Sequence, residues 1–131
     1  MSAIPSPTDP IRVLIVDDHP MVRLGLRSLL SHTGGFRVVG EAGSVAEAVQ
    51  MAAQLTPNVV LMDIRLPDGS GVDACRKIKQ ENDEISVVML TSYSDEEAIV
   101  GAVMAGASGY LLKQADSERL TQAIRDAASG A

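Results

Sequence analysis

Val59-Val60-Leu61-Met62-Asp63, running into Ile64-Arg65-Leu66-Pro67-Asp68-Gly69, is the stretch on which the fold of this chain turns. A short apolar run bounded by turn residues reads as a buried strand. Leu-Pro-Asp-Gly is turn chemistry, because proline presets φ and glycine tolerates positive φ. Asp63 therefore stands where a buried strand first meets solvent. In an open parallel sheet, ligands bind at the carboxyl ends of the strands.

The rest of the chain repeats the pattern. Ile11–Val16 is a strand rich in branched residues, interrupted only by Arg12. Pro20 suits a helix start, and Val22, Leu26, Leu29 and Leu30 give that helix one apolar face, ended by Gly34-Gly35. Arg37–Ala42 is a shorter strand. Ser44-Val45-Ala46-Glu47 has capping-box spacing, and Val45, Ala48, Val49 and Ala52 form the next stripe. A third helix is expected from about Ser70 to Asn82, then a strand over Ile85–Leu90. Ser94-Asp95-Glu96-Glu97 repeats the capping box before a small-residue helix from Ala98 to Ala105 that Gly106 closes. Ser108–Leu112 is the fifth strand, and Asp116 or Ser117 caps a last helix burying Leu120, Ala123, Ile124 and Ala127.

Five strands alternating with helices, each strand nearly continuous in apolar residues, imply a parallel sheet covered on both faces. The common five-stranded, doubly wound order is 2-1-3-4-5, which places the switch point between strands one and three. Composition agrees with a single ordinary domain: 131 residues, 46% hydrophobic and 21% charged. Residues 1–10, with Pro5, Pro7 and Pro10, read as a flexible tail, and residues 11–131 as the domain. That tail has neither the basic nor the apolar region of a signal peptide. The lone Cys75 excludes an internal disulfide and fits a reduced, cytoplasmic setting. A net charge of −6, with scattered basic residues and only Phe36, Tyr93 and Tyr110 as aromatics, argues against this chain gripping nucleic acid directly. No stretch approaches a membrane span.

The chemistry follows from the topology. Asp17 and Asp18 follow the first strand and Asp63 ends the third, so three carboxylates are expected in one crevice. Two unit charges about 4 Å apart repel by roughly 4 kcal/mol at an effective dielectric near 20. Such a group needs a counter-ion or must take up protons. An oxygen-only set in a shallow crevice favours Mg²⁺. Thr91 and Lys113 end the fourth and fifth strands, adding a hydroxyl and an ammonium that suit a phosphoryl group. Asp63 is the natural nucleophile, because carboxylates form acyl phosphates.

With Asp17-Asp18, Asp63, Leu66-Pro67-Asp68-Gly69, Thr91-Ser92, Tyr110 and Lys113 in this order, the chain resembles the receiver domain of a two-component response regulator. The resemblance covers about residues 11–128, with 45 residues from Asp18 to Asp63, 28 to Thr91 and 22 more to Lys113. It implies a flavodoxin/CheY-like fold in which Asp63 is the phosphoacceptor, served by a sensor histidine kinase. It implies Mg²⁺ on Asp18 and Asp63 directly, on Asp17 mainly through water, and on the Arg65 backbone carbonyl. Thr91 and Lys113 would contact the phosphoryl, and Thr91 with Tyr110 would form the conformational switch. Such a domain modifies itself rather than turning over foreign substrates, so it is not an enzyme in the ordinary sense.

Asp18-His19-Pro20, Arg23-Leu24-Gly25-Leu26, Val39-Gly40-Glu41-Ala42 and residues 105–110 further resemble the NarL/LuxR-type transcription regulators. That likeness implies a helix-turn-helix effector domain in the full protein, DNA contact only through that domain, and a homodimer on phosphorylation. Gln114 follows Lys113 where many receivers have proline; a cis bond there would cost about 2.5–4 kcal/mol, and the isomer is left open.

Other readings are weaker on the residues. A flavodoxin-like cofactor carrier would need a glycine- and hydroxyl-rich cradle where Asp17-Asp18 stand. A phosphotransferase or phosphatase would need a second substrate pocket and a general acid. A stand-alone or phosphorylation-independent receiver, acting as an interaction module, is the alternative to a regulator with a DNA-binding output. Asp68 reads as a turn former, and His19 and His32 as surface residues rather than ligands.

Overall fold

The computed structural model describes residues 9–91, 101, 103, 105–113 and 115–130. In chain order these form β1 (Ile11–Val16), α1 (Pro20–Thr33), β2 (Phe36–Ala42), α2 (Val45–Leu55) and β3 (Val59–Asp63). Then come α3 (Gly71–Glu81), β4 (Ser86–Thr91), β5 (Gly109–Leu112) and a C-terminal helix (Ser117–Ala128). A two-residue antiparallel ribbon, Arg65–Leu66 against Gly69–Ser70, links β3 to α3. The sheet is parallel, in the order β2-β1-β3-β4-β5, as the alternation of elements predicts.

The strands are buried for the reason the sequence suggests. Alternate residues point to opposite faces, and both faces are covered. Leu14, Val16, Val60, Met62, Val87 and Met89 pack with Ala48 and Ala52 of α2 and Val72, Cys75 and Ile78 of α3. Val13, Ile15, Val59, Leu61, Val88 and Leu90 pack with Leu30 of α1 and Leu120, Ile124 and Ala127 of the C-terminal helix. Each fully buried aliphatic side chain contributes about 1.5–3 kcal/mol, so the central strands anchor the sheet. Burial raises the Cys75 thiol to about 11, which keeps it protonated and inert.

Strand limits shift by one residue from expectation. β2 begins at Phe36, because Ile11 aligns with it; β4 runs from Ser86 to Thr91, because Thr91 still pairs with Leu112. β5 begins at Gly109. Gly34 and Gly35 take φ values of 82° and 86°, the left-handed turn that ends α1. Ser44 accepts from the Glu47 amide, whereas the Glu47 carboxylate reaches Gly43 N–H at 3.1 Å instead of that of Ser44. Asp116 is the residue that caps the last helix. Of the helix expected over 98–105, Gly101 and Val103 are helical and Ala105 N–H donates to the Gly101 carbonyl. The tail over 1–8, Ser92, the capping box at Ser94–Glu97 and Gln114 lie outside the described residues. No helix among the described residues is long and apolar enough to cross a membrane.

Two polar residues tie α2 down at both ends. Arg12 donates to the carbonyls of Leu55 and Thr56, the last of the helix, where a guanidinium also favours the negative end of the dipole. Asp68 does more than form a turn. Its carboxylate accepts from Val45 N–H at 2.7 Å and Ala46 N–H at 3.1 Å, capping α2 from the loop that follows Asp63. These two amide donors hold the Asp68 carboxyl below its usual 3.8. The stabilisation is therefore complete above pH 3.8 and is lost as the pH falls further, through the native value. Asp68→Ala is expected to melt below the wild type at pH 7, with a gap that narrows towards pH 2. A gap of equal size at both pH values, in paired thermal melts, would show that the carboxylate is not the cause.

Candidate functional site

The register of the sheet sets the site. Val16 pairs with Met62, so Asp17 lies level with Asp63; Asp63 pairs with Leu90, and Thr91 with Leu112. Five strand ends thus finish at one edge, and Asp17, Asp63, Thr91 and Lys113 all stand there. Asp17 is completely buried, and Asp63 and Thr91 nearly so. Lys113 enters from the rim, with its main-chain N–H donating to the Thr91 carbonyl at 2.7 Å.

Lys113 Nζ bridges the two buried acids. It lies 3.2 Å from Asp63 Oδ2, in a hydrogen bond, and 3.1 Å from Asp17 Oδ2. Burial works against ionising Asp63, and the Asp17 charge adds to it; Lys113 and the Arg65 N–H only partly offset them, so the Asp63 carboxyl titrates above its usual 3.8. For Asp17, burial also pushes upward, but the hydrogen bonds of His19 and Lys113 outweigh it and the carboxyl titrates low. Lys113, although partly desolvated, is held above its ordinary value by the two carboxylates. At neutral pH the pocket therefore carries an excess of negative charge around one ammonium.

Asp17, Asp18, His19 and Asp63 each present a ligand atom within 4.8 Å of one another. Asp17 Oδ2 and Asp18 Oδ1 are buried oxygens, the first met by Lys113 Nζ at 3.1 Å and the second by His19 Nδ1 at 3.1 Å. Three carboxylates gathered around one ammonium are costly unless a further cation meets them. A hard divalent ion with oxygen ligands fits this donor set. Arg65 is exposed in the ribbon directly after β3, and its N–H reaches Asp63. Tyr110 is about half exposed, 48%, on the outer part of β5.

Four contributors were not legible in the sequence as parts of the site. His19, the N-cap of α1, donates its N–H to Asp17 Oδ1 at 2.8 Å and turns its ring to the acids. Arg23, one turn into α1, donates to the Asp17 carbonyl at 2.5 Å and lies 3.4 Å from Glu41 of β2. Glu41 in turn accepts from Arg27 at 2.8 Å. This Arg-Glu-Arg row fixes the main chain behind Asp17. The available signal was only that His19 and Arg23 closely follow an acidic pair at a strand end.

Gathered acids, one lysine and a parallel doubly wound sheet narrow the choice of family, and comparison with known proteins decides it. The profile of the response regulator receiver domain matches residues 13–125. The chain belongs to the response regulator receiver domain family. The DNA-binding transcriptional activator DevR/DosR of Mycobacterium tuberculosis is 42% identical over 120 residues, covering 92% of this receiver and 55% of that protein. The transcriptional regulatory protein LiaR of Bacillus subtilis is 38% identical over 120 residues, covering 92% and 57%. Thus the receiver spans little more than half the length of the curated relatives it matches. Among solved structures, a LuxR-family two-component response regulator from Aurantimonas sp. superposes with a TM-score of 0.88 at 37% identity, covering 93% of this receiver and 87% of that chain. The signal receiver domain of a NarL response regulator from Mycobacterium tuberculosis gives 0.89 at 30% identity, covering 94% and 99%. The expected NarL/LuxR-type affinity and CheY-like fold are both borne out.

Proposed function

We propose that this receiver is a phosphorylation-dependent switch in which Asp63 accepts a phosphoryl group from a sensor histidine kinase. The observation that carries the reading is the shared ammonium: Lys113 lies 3.2 Å from Asp63 and 3.1 Å from Asp17, at the mouth of a cluster of carboxylates. An Asp63 carboxylate oxygen forms the new P–O bond as the P–N bond of the kinase phosphohistidine breaks, and the leaving imidazole takes a proton. Asp18, Asp63 and the Arg65 carbonyl would hold Mg²⁺ directly, and Asp17 mainly through water. When bound, the ion supplies positive charge to the phosphoryl oxygens and relieves the repulsion among the acids. Lys113 then turns from Asp63 to a phosphoryl oxygen, and Thr91 takes another. The modification adds about −1.5 to −2 charges at this edge of the sheet, enough to bias a two-state surface that includes Tyr110.

The output reading rests on the relatives. A helix-turn-helix effector domain in the full protein carries the DNA contact, phosphorylation favours a homodimer, and the whole acts in the cytoplasm. Chemistry at the receiver is confined to its own modification and the hydrolysis of that acyl phosphate.

Incubation with acetyl phosphate, with and without Mg²⁺, tests the phosphoacceptor. Intact mass is expected to show one Mg²⁺-dependent phosphate, and borohydride trapping should map it to Asp63. An adduct on another residue, or one indifferent to Mg²⁺, would overturn the reading. Lys113→Ala is expected to slow the initial uptake on the order of 100-fold, the usual cost of losing one group that stabilises transferring charge. A time course within twofold of the wild type would make Lys113 structural.

A further inference from the structure

His19 is the one member of the pocket that oxygen chemistry does not account for. Its side chain is 63% exposed, and beyond the contact of Nδ1 with Asp17 the same nitrogen faces a second acid, Asp18. It lies 3.0 Å from Asp17 Oδ1 and 3.1 Å from Asp18 Oδ1. One ring N–H cannot serve both, and Asp18 Oδ1 is left without a hydrogen bond although it is buried. The second oxygen of the wholly buried Asp17 meets the Lys113 ammonium at 3.1 Å. Neighbouring ligand atoms on an octahedron with bonds of roughly 2.1 Å stand about 3.0 Å apart. The spacing of Nδ1 from the two carboxylate oxygens is that of a shared coordination edge as much as of a hydrogen bond.

We propose that His19 is a nitrogen ligand of this pocket, through Nδ1, so that the site takes borderline divalent ions such as Co²⁺ ahead of Mg²⁺. The inference rests on the metal pocket described under the proposed function and extends its donor set. Imidazole raises affinity for the later first-row ions and does little for Mg²⁺, which prefers oxygen and keeps its waters. The exposed Nε2 remains free to hydrogen-bond to solvent, so ligation through Nδ1 strands no polar atom.

The test is calorimetric titration of the full chain with Mg²⁺ and, separately, Co²⁺, for the wild type, His19→Asn and His19→Ala. Asparagine keeps a short amide that can donate to Asp17 but removes the imidazole. Both variants are expected to bind Co²⁺ about tenfold more weakly, while Mg²⁺ affinity changes less than twofold. Proton spectra with Co²⁺ should show contact-shifted ring resonances for one histidine. His32, whose Nδ1 contacts the Ser28 carbonyl on α1, is the internal reference. Full Co²⁺ affinity in His19→Asn, or equal weakening for both ions, would reduce His19 to a hydrogen-bonding clamp and overturn the inference. If the wild type bound Co²⁺ in a His19-dependent way but not Mg²⁺, the Mg²⁺ reading would fall and the nitrogen ligand would stand. Failure to bind either ion would overturn both.

Discussion

Asp63→Asn is expected to take up no phosphate from acetyl phosphate and yet, in metal-free buffer, to melt at a higher temperature than the wild type. The loss follows because a carboxamide nitrogen or oxygen does not replace the carboxylate as a nucleophile towards phosphorus. The gain follows from electrostatics. Asp63 is held above its ordinary pKa by burial and by Asp17, with Lys113 offsetting only part of this. A raised carboxyl binds more protons folded than unfolded between 3.8 and its native value, so stability falls as pH rises through that window. Above the window the ionised Asp63 is a constant burden. Asparagine removes it, leaving Asp17 alone opposite Lys113. The gain should be a rise of a few degrees, each kcal/mol being worth roughly 3–6 °C in a domain of this size. It should shrink below pH 3.8, where wild-type Asp63 is itself protonated, and also when a divalent ion is added to the wild type. Melts with EDTA at pH 7 and pH 3 read the effect. A variant less stable than the wild type at pH 7 would show that Lys113 already compensates the pocket in full.

Gly71→Ala is the second large expectation, and it concerns the backbone behind Asp63. A Cβ at Gly71 would drive into the Asp63 carbonyl oxygen and lie 2.9 Å from Met62 Cγ. The glycine is needed for close approach: its N–H donates to the Ile64 carbonyl at 2.6 Å, pinning the start of α3 to the end of β3. Since the obstacle is main chain, no rotamer change relieves it. A cost of about 3 kcal/mol or more is expected, at the upper end for overpacking, with slower phosphate uptake as Asp63 is displaced. Gly25→Ala is the control. No atom lies within 4 Å of that added methyl on α1, so alanine should stabilise the helix by about 0.5–1 kcal/mol. Urea unfolding of the two variants compares them directly. A Gly71→Ala midpoint within error of the wild type would mean that β3 and α3 can part without penalty.

How far the sequence could be read depended on the range of the interaction concerned. The uninterrupted Val59–Asp63 run and the apolar stripe of Leu120, Ile124 and Ala127 are local patterns, and the sheet and the C-terminal helix follow them. Ser44 and Asp116 cap the helices that their spacing indicates. Asp68 was legible only as a turn residue, because its two amide partners on α2 lie 23 and 22 positions away and no local pattern links them. Arg12 looked like an interruption of a strand for the same reason, its carbonyl acceptors being at Leu55 and Thr56.

The candidate site divides along the same line. By itself the sequence determined which residues end the strands, and so that Asp17, Asp18, Asp63, Thr91 and Lys113 would share one edge of a parallel sheet. Periodicity records burial, and burial is a property each segment carries alone. Only the tertiary structure decided which of these residues touch: that Lys113 spans Asp17 and Asp63, that Arg23 braces the Asp17 carbonyl, and that His19 turns into the acids. Those contacts depend on strand register and on side-chain reach across chain segments, which arise when the sheet assembles and have no counterpart in any single stretch of sequence.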